Sequence, residues 1–232
     1  MTDHHKHIPP SCAACDSPVG EKICFTEKGT AHKGCPTVTG KPVLETANQA
    51  YQKDDVQKFA HAASAQEAAC YANRDQQPYV MQPCKTRIVE TCEFARRMGY
   101  QRIGLAFCLG LSAEAKTVGE IFQAHGFDVV SVCCKAGRTS KALIGITDAD
   151  KIYKGTDESM CNPIFQAEIL NAEQVDFNVL LGLCVGHDSL FFRFAQVPTT
   201  VLAVKDRVTG LNPLAAVYQA DSYYRKIRNP GI

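Results

Sequence analysis

The sequence predicts an α/β protein: a doubly wound, flavodoxin-like parallel sheet, preceded by a small N-terminal cysteine-rich metal-binding module and a helical segment. Three observations carry this reading. Four short apolar runs begin at 102, 127, 177 and 199, and the segments between them are long enough for right-handed helical crossovers. Three of these runs end on cysteine: Ile103 to Phe107 stops at Cys108, Val129 to Val132 at Cys133-Cys134, and Leu180 to Leu183 at Cys184. The first 42 residues hold C-x2-C-x8-C-x10-C-P and little apolar periodicity.

Taken in order, residues 1 to 42 form the four-cysteine module. A segment so poor in apolar residues cannot stabilise itself by burial, so thiolates on a metal would supply its folding energy. Cys12, Cys15, Cys24 and Cys35 are the expected ligands, for an iron–sulfur cluster or, alternatively, zinc. His4, His5 and His7 read as a polar tail. Residues 43 to 84 form a helical connector. Its periodicity runs from Val56 through Phe59, Ala63 and Ala68 to Cys70, with Asp54 or Asp55 as N-cap. Residues 85 to 232 form the α/β domain. A helix over Ile88 to Met98 closes at Gly99, and the strand Arg102 to Phe107 follows. Ser112 is expected to cap a helix reaching His125, before a strand from Phe127 to Val132. A basic-leaning loop leads to Asn162-Pro163, a cap followed by proline at the first helical position. The strand Phe177 to Leu183, a helix from Asp188 to Ala195 and the strand Thr199 to Val204 complete the series.

Composition sets bounds on function. The chain has 232 residues, 45% of them hydrophobic, and a formal charge of +1. No basic block argues for nucleic acid or an anionic membrane surface. No apolar run approaches the roughly 18–20 residues of a membrane span. The start, Met1 to His7, lacks an apolar signal core, so a cytoplasmic location is expected. Twelve cysteines in such a chain point to metal ligation or redox chemistry rather than a disulfide scaffold. There is no dinucleotide fingerprint, Walker loop or nucleophile elbow.

A flavodoxin-like order places the first strand between the second and third. The strand-end cysteines then fall on neighbouring strands, within roughly 10 Å of one another. Ligands of such sheets bind beyond the carboxyl ends of the strands. Cys161, just before a helix, can fold over the same edge. Cys108, Cys133 or Cys134, Cys161 and Cys184 are therefore candidate cofactor ligands. Side chains alternate along a strand, so one member of the Cys133-Cys134 pair is expected to face the site. Helix N-termini after Cys108, Cys161 and Cys184 would favour negative charge there. His187 is a candidate proton donor, and Lys205 and Arg207 are candidate holders of an anionic substrate.

These residues resemble a family. Cys12-x2-Cys15 with Cys35-Pro36, Ile103 to Cys108, Val129 to Lys135, Met160-Cys161-Asn162-Pro163, Leu183-Cys184-Val185-Gly186-His187-Asp188-Ser189 and Val204 to Arg207 are similar to those of an uncharacterised bacterial and archaeal family of cysteine-rich proteins. Its members carry a domain of unknown function and the label metal-binding. The resemblance implies metal binding and an anaerobic setting, and it supplies no substrate. Cys70, Cys84 and Cys92 lie outside its motifs.

The expected function is an iron–sulfur redox protein with one or two [4Fe-4S] clusters. Electrons would enter at the N-terminal site and reach the sheet edge, where a small-molecule substrate is reduced or a redox partner protein is met. An iron–sulfur-dependent oxidoreductase is compatible with this, and a homo-oligomer is left open. The alternatives are a zinc-stapled, non-catalytic metal-binding protein and a persulfide sulfur-transfer enzyme.

Overall fold

The computed structural model describes residues 8–231, so His4, His5 and His7 lie outside the described residues. The chain divides into two units, Met1–Ala65 and Gln66–Ile232.

In the first unit, 3-10 turns at Cys12–Ala14 and Val19–Glu21 precede helices α1 (Pro36–Thr39) and α2 (Lys41–Ala50). Helix α3 (Asp54–Ala69) runs past the unit boundary in sequence. The helical segment expected here is two helices, separated at residues 51–53. The backbone N–H groups of Tyr51, Gln52 and Lys53 donate to carbonyls three residues back, a tightened turn. The acidic pair Asp54-Asp55 then opens a new helix, where negative charge is favoured.

The second unit holds the sheet. Strands β1 (Arg102–Phe107), β2 (Asp128–Cys133), β3 (Phe177–Leu183) and β4 (Thr199–Val204) lie in the order β2-β1-β3-β4, all pairs parallel. Every residue of β3 is buried, as expected of a central strand covered on both faces. Helices α4 (Arg87–Met98) and α5 (Ser112–Ala124) cover one face. There Cys92, Ala95, Ala115, Val118 and Phe122 pack with Ile103, Leu105, Val179 and Leu181. Helices α6 (Pro163–Ala172) and α7 (His187–Phe194) cover the other, where Ala167, Leu170 and Phe191 meet Ala106, Val132, Leu180 and Leu183. A short helix α8 (Pro213–Tyr218) follows β4.

The expected caps hold at Gly99 and Asn162 and fail at Ser112 and at Asp54-Asp55, which lie within the first turn of α3. Gly99 ends α4 in the left-handed conformation, φ 81°, and the Asn162 side chain accepts from the Phe165 N–H at 3.0 Å. Ser112 is not a cap. A 3-10 turn at Leu109–Leu111 precedes it, and its hydroxyl donates to the Leu109 carbonyl at 2.6 Å. The second strand begins one residue later than expected, because the Phe127 N–H closes back on Phe122 at 3.1 Å.

The long segment between β2 and α6 is an organised loop. Ser140 and Ser159 form an antiparallel bridge, and buried Glu158 pairs with Lys141 at 2.9 Å. Glu158 also accepts from the N–H groups of Ile152 and Tyr153. These donors, Lys141 first, hold its carboxyl below the usual range.

Candidate metal centre

The carboxyl ends of the strands are extended by hydrogen bonds that position the cysteines. The Cys108 N–H donates to the Leu181 carbonyl at 3.1 Å, and the Cys134 N–H to Phe107 at 2.8 Å. The Asn162 N–H donates to the Cys134 carbonyl at 2.7 Å, which draws Cys161 to the end of β2. Lys135 fixes the same segment by donating to the Ser159 carbonyl. Cys184 is turned by Gly182, whose φ of +66° coincides with a register shift between β3 and β4. A Cβ there would also lie 2.1 Å from a Leu111 methyl, so the kink needs glycine. The Cys184 carbonyl then accepts from the N–H groups of His187 and Asp188, starting α7.

The result is one small cavity lined by Cys108, Cys134, Cys161, Cys184, His187, Gln166 and Leu183. Its volume is about 10 Å³, room for about one water. Of the vicinal pair, Cys134 lines the cavity and Cys133 does not, as the alternation of side chains requires. The sulfurs of Cys134 and Cys161 are 3.6 Å apart and share a hydrogen. That bond raises the Cys134 thiol, which burial raises further, and lowers Cys161 to about 7 against the opposing effect of its own burial. Lys135 adds a further lowering at Cys161. The Leu109 N–H donates to the Cys134 sulfur at 3.3 Å, a backbone donor of the kind that stabilises thiolates.

The charged residues after β4 divide their work. Arg207 donates to the Cys184 sulfur at 3.1 Å. Asp206 accepts from the N–H groups of Val208 and Thr209, and those bonds, Thr209 first, lower its carboxyl. It therefore holds the turn that presents Arg207. Lys205 continues the ladder through its N–H to Leu183 and does not line the cavity. Ser189 bonds Asp188 locally, and neither lines the cavity.

Sequence reasoning passed over Gln166. This side chain is fully buried, and its amide N–H2 donates to the carbonyls of Phe107 at 3.2 Å and Val132 at 2.7 Å. Two carbonyl acceptors fix the amide orientation. Its Oε1 is then buried in the cavity wall without a partner. The available signal was a polar residue inside the buried stripe Pro163, Gln166, Ala167, Leu170 of α6.

In the first unit, backbone contacts gather the four-cysteine segments. The Ser11 N–H donates to the Gly34 carbonyl at 3.4 Å, beside Cys12 and Cys35. The Lys22 ammonium donates to the Cys15 carbonyl at 3.5 Å, and a bridge between Lys22 and Thr30 closes the turn that carries Cys24. His32, three residues before Cys35, has a buried Nε2 without a hydrogen-bond partner.

Among the described residues no three His, Cys, Asp or Glu side chains already stand arranged to hold a metal ion, so capture at either site would draw the thiols inward. At the sheet edge the donor set suits zinc or iron. Two thiolates on one ion, each about 2.3 Å from it, stand roughly 3.8 Å apart in a tetrahedron. The 3.6 Å between Cys134 and Cys161 is close to that edge length. Cys108, Cys134, Cys161 and Cys184 would together hold such a group.

The fold and the site define a class: doubly wound α/β proteins with a thiol-lined pocket at the carboxyl edge of the sheet. Within it, the chain belongs to the family described as protein of unknown function (DUF1847), whose model matches residues 35–202. That span contains the four pocket cysteines and His187. The chain is also similar to an uncharacterized protein of Methanocaldococcus jannaschii, 38% identical over 215 residues, covering 93% of this chain and 96% of that one. No solved structure matches. Among the described residues no helix is long and apolar enough to cross a membrane.

Proposed function

We propose that this is a metal-binding redox protein whose working centre is held by Cys108, Cys134, Cys161 and Cys184. One observation carries the reading: four cysteines from four separate segments line one cavity, at the edge where open α/β sheets bind their ligands. Iron in such a thiolate set would supply one-electron transfer. The protein's own groups would do the rest. The Leu109 N–H and Arg207 offset negative charge on the sulfurs, and His187 offers a proton at the cavity wall. The pocket spacing supports a single iron there in preference to the expected four-iron cluster. Cys12, Cys15, Cys24 and Cys35 form a second thiolate site in which iron–sulfur and zinc remain the candidates. The substrate class is a small molecule or a redox partner protein.

Anaerobic purification followed by iron, zinc and acid-labile sulfide analysis tests this. Iron retained in wild type and lost in Cys161→Ser, with an iron–sulfur distance near 2.3 Å by X-ray absorption, supports it. Zinc alone in stoichiometric amount would replace the redox reading with the zinc-stapled one. Full alkylation of all four pocket thiols in protein isolated anaerobically and never exposed to a chelator would overturn metal binding there.

A further inference from the structure

Cys70 and Cys84 belong to no metal set, yet the fold sets them face to face. Tyr71 and Pro83 form an antiparallel bridge. The Ala72 N–H donates to the Gln82 carbonyl at 2.9 Å, and the Cys84 N–H to the Cys70 carbonyl at 2.8 Å. Cys70 and Cys84 are therefore directly opposite one another in the next register position. Opposed residues in such a position have Cα atoms about 5.5 Å apart. That lies inside the roughly 4.4–6.8 Å window that a disulfide requires. The Cys84 sulfur already lies 3.3 Å from the Cys70 carbonyl oxygen.

We propose that Cys70 and Cys84 are a redox-active dithiol, a modification site that closes residues 71–83 into a disulfide loop. The oxidant is a low-molecular-weight disulfide of the glutathione class. Cys84, exposed, attacks it first as thiolate, forming a mixed disulfide and releasing one small thiol. Cys70, buried, then displaces the second small thiol and completes the Cys70–Cys84 bond. Two protein thiols become one disulfide, one small disulfide becomes two small thiols, and both protons leave with them. Closure requires rotation of the Cys70 sulfur away from the Gln66 carbonyl, its partner at 3.1 Å, and a slight approach of the two segments, because Cβ atoms at such a position stand about 5 Å apart against about 3.5–4.5 Å in a disulfide.

The surroundings favour the oxidised form. Burial, then the neighbouring Glu90 carboxylate, raises the Cys70 thiol. Dithiols whose thiolates are not stabilised are the more readily oxidised, the reverse of strongly oxidising proteins, whose reduced form is stabilised. The loop so closed displays Val80 and Met81, 75% and 67% exposed, so its conformational freedom is what the bond would restrain.

The test uses full-length reduced protein, equilibrated anaerobically in buffers of defined oxidised-to-reduced glutathione ratio, trapped with iodoacetamide and mapped by mass spectrometry. Wild type is expected to yield a peptide pair joined through Cys70 and Cys84. Cys70→Ser should accumulate a glutathione adduct on Cys84. Cys84→Ser should leave Cys70 as a free thiol, oxidised about tenfold less than in wild type or lower, because the buried thiol loses its intramolecular partner. Wild type that stops at the Cys84 adduct, or that leaves both thiols free at the most oxidising ratio, overturns the proposal. The wild-type map decides even if a variant fails to fold.

Discussion

Replacing Gln166 by Leu isolates the part of the site that no metal is needed to read. The amide donates to two strand-end carbonyls, one preceding Cys108 and one preceding Cys133-Cys134. Phe107 O keeps a second donor, the Cys134 N–H at 2.8 Å, so its loss should cost only about 0.5–1 kcal/mol. Val132 O loses the shorter, fully buried bond, which should cost about 1–3 kcal/mol. The bonds lost are therefore worth about 1.5–4 kcal/mol, offset in part by removal of the unpartnered Oε1. Urea unfolding of metal-free protein, followed by far-UV circular dichroism, measures the net change. Gln166→Glu adds a sign. An ionised carboxylate cannot donate to either carbonyl, so this variant should be weakest at high pH and recover as the introduced acid protonates. Because the same bonds hold the strand ends that carry Cys108 and Cys134, metal affinity should fall about 10–100-fold in Gln166→Leu. Unchanged metal affinity in Gln166→Leu, together with a Gln166→Glu variant whose stability does not recover as pH falls, would refute the assignment of Gln166 as the clamp.

Three further outcomes follow from the geometry. In metal-free protein, Cys161 should be alkylated with a half-point near pH 7, and Cys134→Ser should move that half-point upward; a wild-type half-point near pH 9 contradicts the shared-hydrogen arrangement. Gly182→Ala should cost about 1–3 kcal/mol from the positive φ, lowering Tm by about 2–4 °C per kcal/mol, with Leu111→Ala in the same chain relieving only the steric part. The Glu158 carboxyl is depressed, so its contribution is complete above the ordinary carboxylate value and lost as pH falls through the lower folded value; thermal melts in that acid range should show wild type losing stability that Glu158→Gln lacks throughout.

How much of this was legible in the sequence depended on how local each cause was. β1, β3 and β4 were readable to the residue because continuous apolar runs stop where a parallel strand must stop. Crossover length implied a parallel sheet and the flavodoxin-like order its strand sequence, which places Cys108 and Cys184 on adjacent strands. β2 was displaced by one because Phe127 is apolar and core-packed, although its N–H serves the preceding helix. That choice is made by a hydrogen bond, and hydropathy does not register it. The choice between Cys133 and Cys134 was likewise open to alternation alone, since the absolute register decides which face is which. Arg207 was recognisable as a charge beside the edge, but its contact is with the Cys184 sulfur, a tertiary fact set by the Asp206 turn. Gln166 offered the clearest unused signal, since an uncharged polar residue in the buried stripe of a helix must find partners inside.

The strand ends also explain why the pocket should prefer a compact occupant. Cys108 and Cys134 are held by ladder bonds to Leu181 and Phe107, so their backbones cannot separate without breaking sheet pairing. Cys161 is tied to Cys134 through the Asn162 N–H, and the rigid clasp of Lys141 and Glu158 limits the loop behind it. Cys184 is held in turn by its carbonyl, which accepts from the His187 and Asp188 N–H groups. Four thiols on backbones held in this way would close round a single ion by rotating side chains. They can admit a larger cluster only if sheet bonds at the edge are given up, at about 0.5–1.5 kcal/mol for each bond exchanged for water and more where the groups stay buried. Stoichiometric sulfide bound at the four pocket cysteines would therefore have to be accompanied by hydrogen exchange at the Cys108 and Cys134 amides faster than in the metal-free protein, and slow exchange there with sulfide present would show this account of the pocket to be wrong.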